Sequence, residues 1–286
     1  MSAVYGICGV SKQAYFQHRT SESQRQIMEE IILGEVGRLR QRHRSMGARK
    51  MYWKLSPLPI GRDRFEELVL AHGYRVRVNR NYTKTTHRHK RYLCYPNLCA
   101  DLVVRRINRV WSSDITYYRV MDRFYYLVFE MDLYSRRILG SAVSQTLEAT
   151  GNVEALEKAF ATRGFATYQY QLIHHSDPGS QYLSEEVLEV CRHRKCRVSI
   201  GKSVWENPHI ERVNGIIKNE YLRHYSITTI VELQKAVSEA IWYYNNDRPH
   251  WSLQLMTPVE FECYVKGIPR NERPILCPYS ENNSVK

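Results

Sequence analysis

Paired cysteines are missing from this 286-residue chain. Its seven cysteines (Cys8, Cys94, Cys99, Cys191, Cys196, Cys263 and Cys277) are odd in number and form no CxxC pair. That excludes a disulfide-stapled scaffold and points to free thiols in a reducing compartment. His87, His89, Cys94 and Cys99 cluster in sequence, but their spacing matches none of the usual zinc patterns. No apolar run approaches the length of a membrane span, and the opening residues lack the basic-then-apolar pattern of a signal peptide. The expectation is a soluble, intracellular protein. Acid is scarce in the first third: residues 1–106 hold 21 Lys or Arg against 8 Asp or Glu, whereas the rest hold 21 of each, so the first segment carries the whole net charge of +13. A basic segment joined to a neutral one suggests that the first part holds a polyanion and the second acts on it.

Along the chain, Val4–Cys8 suits a short helix, Gly9-Val10 a turn, and Ser11 the cap of a second helix through Lys12 to Phe16, in the manner of a helix-turn-helix. A separate helix from about Ser23 to Arg44 follows, with Arg38, Arg40, Arg42 and Arg44 crowding its end, then shorter ones at Ala48–Leu55 and Arg62–His72. From Tyr74 to Tyr95 basic residues alternate with Thr and Tyr without a helical or strand period. This is the composition of an extended connector able to lie along phosphates, with Lys12 and then Arg88, Lys90 and Arg91 as candidate DNA contacts. After Asn108 the period becomes that of strands: Val110–Val120, Phe124–Leu133 and Ile138–Gln145 in an antiparallel meander. Next come a helix Ala149–Thr162, a strand Tyr170–His174, a helix Glu185–His193, a strand Arg197–Ile200, a helix from Pro208 through Arg223 and a last one at Val231–Asn245. This order predicts an α/β fold, a mixed five-stranded sheet with flanking helices, preceded by a small all-helical domain. The expected divisions are 1–73 helical, 74–107 linker, 108–262 catalytic core and 263–286 tail.

Asp114 sits in the middle of the apolar, aromatic strand Val110–Tyr118, where a carboxylate is costly unless its charge is compensated. Asp177 follows a strand that can pair beside it, the usual position of a site in an α/β sheet. Glu211 falls in the first turn of the Pro208 helix, with Lys218 seven residues on and therefore on the same face, and Asn214 between them. Three carboxylates brought together repel unless a cation lies among them, and oxygen-only ligation suits Mg²⁺ or Mn²⁺. A pair of such ions, with Lys218 near the substrate phosphate, supports phosphoryl transfer. Each acid has a plainer reading, as a satisfied core Asp, a turn residue before Pro178-Gly179 and a helix-start Glu, and Glu130, Asp132 and Glu206 are rivals on spacing alone.

Five motifs in order, Trp111-Ser-Ser-Asp114-Ile-Thr-Tyr, Asp132-Leu-Tyr-Ser-Arg136-Arg-Ile, His175-Ser-Asp177-Pro-Gly-Ser-Gln181-Tyr, Glu206-Asn207 with Glu211-Arg-Val-Asn-Gly-Ile-Ile-Lys218, and Tyr244-Asn-Asn-Asp-Arg248-Pro-His, resemble those of DDE transposases of insertion sequence family three. The likeness is to the second-frame (OrfB-type) protein and covers nearly the whole chain. It implies an RNase H-like, integrase-type core in which Asp114, Asp177 and Glu211 bind two Mg²⁺ or Mn²⁺ ions, cut transposon ends and join the 3′ hydroxyl to DNA. It also implies a Lys218 that approaches the DNA end, a mostly structural Tyr244–His250 signature, a homo-oligomer on DNA, the first-frame protein as a further partner, and a place in the bacterial cytoplasm with the nucleoid. Two departures stand out: 33 residues separate Asp177 from Glu211 where the family has 35, and Pro178 replaces a usual Arg. A catalytically impaired DNA-binding regulator and a plain RNase H-like nuclease are the alternative readings.

Overall fold

The computed structural model describes residues 11–76, 95–164, 172–201 and 207–277. Two compact units divide at Asn79 and Arg80. In the first, Ser11 caps helix α1 (Lys12–Arg42), its hydroxyl accepting from the Ala14 amide at 3.1 Å. The two helices expected at Lys12–Phe16 and Ser23–Arg44 are one. The segment Thr20-Ser-Glu-Ser-Gln24 offers a candidate second cap but no Gly or Pro, and nothing else interrupts the helical ladder. Helices α2 (Ala48–Leu55) and α3 (Arg62–Ala71) pack on the far end of α1 around Ile32, Val36, Leu39, Met51, Phe65 and Val69. Gly73, at φ +79°, supplies the left-handed turn after α3. The Arg40 guanidinium donates to the carbonyls of Met46 (2.7 Å) and Tyr74 (2.6 Å) and closes the unit. The expected helix Val4–Cys8 and the turn after it lie outside the described residues, as do Arg88, Lys90 and Arg91.

The second unit is built on a five-stranded sheet in the order β3-β2-β1-β4-β5. Strands β1 (Val110–Val120), β2 (Arg123–Asp132) and β3 (Ile138–Ser144) form the antiparallel meander, while β4 (Ile173–Ser176) and β5 (Arg197–Ile200) add parallel to β1. Parallel addition requires crossovers, which α4 (Ala149–Arg163) and α5 (Glu185–His193) provide. Side chains alternate across the strands, so each face has its own core. One face packs Trp111, Leu139, Phe160 and Val187 beneath α4 and α5. There α4 approaches β3 so closely that a Cβ at Gly140 would fall 2.0 Å from the Ala155 carbonyl oxygen. The other face packs Leu127, Phe129 and Met131 against α6 (Pro208–Ile216), α7 (Ile230–Asn246) and α8 (Pro258–Lys266).

Four sequence expectations change. Strand β4 runs on to Ser176 rather than ending at His174. The Pro208 helix is α-helical only to Ile216, becomes a π-turn over Ile217–Tyr221, and ends in a 3₁₀ turn at Leu222–His224. Helix α8 was not foreseen and runs across residue 262. Residues 95–107, expected within the connector, lie on the core: the Leu98 amide donates to the Ser199 hydroxyl at 2.9 Å, Cys99 is buried, and Val104 bridges to Leu276. Among the described residues no helix is long and apolar enough to cross a membrane.

Candidate active site

Asp114 stands in the middle of β1, opposite Phe129 of β2, on the face that α6 covers. Parallel pairing of Ser113 with Ser176 puts the next residue of each strand, Asp114 and Asp177, at the same level. Asp177 begins the loop after β4, its carbonyl accepting from the Gly179 amide at 2.7 Å. Glu211 lies in the first turn of α6, whose start is fixed by Asn207. Asn207 occupies the cap position without capping. Its side chain is buried and reaches across to β1, where Nδ2 donates to the Ser113 carbonyl at 2.9 Å and Oδ1 accepts from the Ser112 hydroxyl. One amide therefore ties the helix that carries Glu211 to the strand that carries Asp114.

The electrostatics follow from that arrangement. Burial raises the Asp114 pKa well above the ordinary carboxylate range, and the charges of Asp177 and Glu211 push it further, with the Ile115 amide and Lys218 acting in the opposite direction. Glu211 is exposed, and partial desolvation raises its pKa too. The three acids share one electrostatic neighbourhood, graded from the half-buried Asp114 and Asp177 to Glu211 at the surface. Asn214, one helical turn beyond Glu211, donates to Asp114 Oδ2 at 2.6 Å. Lys218 lies in the π-turn, donates to the Thr116 hydroxyl at 2.7 Å and sits 5.4 Å from the Tyr117 ring centroid; burial lowers its pKa against the opposing pull of Tyr117 and Asp114. A π-turn inside an α-helix is frequent at functional sites, and here it carries Lys218, whose charge lowers the Asp114 pKa.

Asp114, Asp177 and Glu211 form an oxygen-only donor set whose mutual repulsion a hard divalent cation would relieve, so the chemistry fits Mg²⁺ or Mn²⁺. Among the described residues, no group of three or more His, Cys, Asp or Glu is already at metal-holding spacing. Of the three acids, Glu211 is the exposed one, at a helix start.

The rival acids are engaged elsewhere. Glu130 pairs opposite Ser113, hence on the other face of the sheet, where it is buried 3.1 Å from His174 Nε2. Asp132 accepts from the amides of Tyr134 (3.0 Å) and Ser135 (2.9 Å) and lies 3.6 Å from Arg163, which makes it an organiser of the β2–β3 turn. Glu206 lies outside the described residues. The Tyr244–His250 motif makes contacts within the chain: Arg248 grips Glu220 of the π-turn through two 2.8 Å bonds, and Asn245 bonds both the amide and the carbonyl of Ile138. Lys12 is exposed in the first turn of α1 in the other unit. Sequence reasoning quoted Asn207 and Asn214 inside a motif without giving them work. It missed Tyr182, whose buried hydroxyl accepts from Ser113 Oγ at 3.3 Å behind Asp114.

Two family models described as "Integrase core domain" match residues 104–203 and 194–258, together more than half of the chain and inclusive of all three acids. The chain belongs to the DDE transposases of insertion sequence family three, with an integrase-type core. This transposase is 28% identical over 270 residues to a protein of Mycobacterium tuberculosis named "Putative transposase for insertion sequence element IS986/IS6110", with 88% of this chain and 95% of that one covered. It is 26% identical to the "Transposase for insertion sequence element IS629" of Shigella sonnei, over 86% of this chain and 83% of that one. Among solved structures, the HTLV-2 integrase catalytic core domain in complex with magnesium matches with a TM-score of 0.44 and 23% identity, over 55% of this chain and 97% of that chain.

Proposed function

We propose that this transposase cleaves the ends of an insertion sequence and joins the freed 3′ hydroxyl to target DNA, with Asp114, Asp177 and Glu211 as the residues that hold two Mg²⁺ or Mn²⁺ ions. The observation that carries this reading is the register that sets Asp114 and Asp177 at one level of paired strands, with α6, which bears Glu211, tied to β1 through Asn207. When bound, the cations supply Lewis-acid activation of the attacking oxygen and stabilisation of the leaving oxygen. The chain's own residues do the rest. Asn214 fixes one oxygen of Asp114, while Asn207 keeps the start of α6, and with it Glu211, against β1. Lys218, held by Thr116 on the rim, offers a cation to a non-bridging phosphate oxygen. In cleavage a water oxygen attacks phosphorus in line, the P–O3′ bond breaks, the water gives up a proton to solvent and the leaving 3′ oxygen takes one up to become a hydroxyl. In joining, the freed 3′ hydroxyl attacks a target phosphodiester in the same way and displaces its 3′ oxygen. Pairing two transposon ends calls for more than one copy of the chain on DNA, and the first-frame protein of such an element is the further expected partner.

Asp114→Asn, Asp177→Asn and Glu211→Gln are each expected to reduce Mg²⁺-dependent cleavage and joining of end-containing DNA by about 10³-fold or more, the scale of losing a main electrostatic contributor to a transition state. Binding to the same DNA, read by gel shift, should stay within about twofold, because affinity rests chiefly on phosphate contacts. A variant that cleaves normally removes its residue from the site. Salt-sensitive binding with no cleavage by the unaltered protein would instead favour a regulator, and cutting of RNA–DNA hybrids without joining would favour a plain nuclease.

A further inference from the structure

Glu130 is an acid to which the proposed reaction gives no task, and its position is a costly one. It lies in β2 between Phe129 and Met131, is wholly buried, and turns to the sheet face away from Asp114. A carboxylate in such surroundings lowers stability unless it is paired and fully hydrogen-bonded, and an apolar side chain of similar size would cost less. One oxygen, Oε1, lies 3.1 Å from Nε2 of the equally buried His174; among the described residues no donor reaches the other. Burial on its own would lower the His174 pKa, yet Glu130 outweighs it and the pKa is raised, so the imidazole is held toward its charged form. Stability does not account for this pair.

Its place in the sheet does. Strands β2 and β4 are not neighbours, since β1 runs between them. Glu130 is level with Ser113 of β1 and His174 with Trp111, so the two side chains meet across β1 over the short side chain of Ser113. That crossing falls where β4 is about to leave the sheet. β1 and β4 pair only over residues 110–113 and 173–176, and the next residue of each strand is an acid of the site. Tyr182, from the turn that follows Asp177, closes the same place: its hydroxyl accepts from Ser113 Oγ at 3.3 Å, and its ring centroid lies 6.2 Å from that of His174.

We propose that Glu130 and His174 are positioning residues, whose bond across Ser113 draws the end of β4 against β1 and so sets Asp177 at the distance from Asp114 that lets both carboxylates share a divalent cation. This rests on the reading that those acids hold metal. The pair itself lies on the opposite face of the sheet and acts only through the two strands.

Mn²⁺ binding to the full chain, read from the electron paramagnetic resonance signal of the free ion, tests this without requiring turnover. The part of the binding that Asp114→Asn abolishes defines the acid site. E130L/H174L exchanges the pair for apolar side chains of similar volume and should melt no lower than the parent. It should nevertheless weaken that binding by about tenfold or more, the scale of disturbing groups that orient metal ligands. E130Q keeps the shape and an acceptor for the imidazole N–H, and should bind within about twofold of the parent. E130A, measured below its melting temperature, should fall as far as the double variant, so the comparison with E130Q stands even where the leucines pack badly. A double variant or an E130A that binds as tightly as the parent, or an E130Q that falls as far as either, would overturn the brace and leave the function proposed above intact. Absence of Asp114-dependent binding from the unaltered chain would overturn that function and the brace with it.

Discussion

Asp114 is held where ionisation works against folding until something positive arrives. Its folded pKa is raised above the value of an unfolded chain, so the sign of the pH effect follows directly. The protonated form is the one the fold favours. Its contribution is fully present below the ordinary carboxylate pKa of 3.8 and is lost as pH rises through the raised value. In a chelator, Asp114→Asn lacks this loss, so the variant should melt higher than the parent at neutral pH. The gap should shrink as pH falls toward 4, at about 2–4 °C per kcal/mol for a domain of this size. Adding Mg²⁺ should raise the melting temperature of the parent and not of the variant. Thermal melts across pH with and without Mg²⁺ measure this, and a gap that ignores both pH and Mg²⁺ would mean that Asp114 is an ordinary satisfied core residue.

At the scale of elements, the site depends on how α6 is fastened to β1, and Asn207 is the fastening. Asn207→Ala removes two bonds to β1 and leaves the Ser113 carbonyl and Ser112 hydroxyl short of a partner in a buried place, a loss of about 1–3 kcal/mol in stability. Glu211 is then less well placed over Asp114, so kcat for cleavage should fall by an order of magnitude or more while the apparent Kd for DNA holds. Denaturant melts and single-turnover kinetics separate the two effects; an unchanged kcat beside a lowered stability would confine Asn207 to a structural role. The strands β1 to β3 and helices α4 and α5 were legible in sequence because two-residue and 3.6-residue periods, bounded by turn residues, are local signals. The candidate acids could be singled out in sequence because each stands at the end or middle of such an element. The continuity of α1 was not, since Ser23 reads as a cap as readily as an interior residue until the absence of any breaker is weighed. Helix α8 had an overlooked signal, the capping box Thr257-Pro-Val-Glu260, in which each side chain bonds the other's backbone amide. The π-turn at Ile217–Tyr221 had none: it answers to the Arg248–Glu220 grip, a contact between residues 28 apart that no local pattern announces.

Over the whole molecule, charge and chemistry are divided. The basic excess lies in residues 1–106, while the three acids, Asn207, Asn214 and Lys218 all belong to the neutral remainder. On the proposed function, phosphate contacts govern affinity and its salt dependence and the acids govern turnover, so substitutions in the two parts should separate. Arg88, Lys90 and Arg91 are the sharpest place to test this, because the connector has no other apparent chemistry. The triple variant R88Q/K90Q/R91Q should weaken binding to end-containing and unrelated DNA alike. It should also lower the slope of log K against log salt by roughly one for each phosphate contact removed, to a limit of about three. Cleavage per bound complex should not change, since on the proposed function the three acids, and not the connector, carry the chemistry. Binding isotherms at several salt concentrations, paired with single-turnover cleavage at saturating protein, give both quantities from one preparation. An unchanged slope would make the connector a spacer and move the DNA-holding surface onto the helices of the first unit, whereas a fall in turnover at saturation would mean that the connector also delivers the scissile phosphate to the acids.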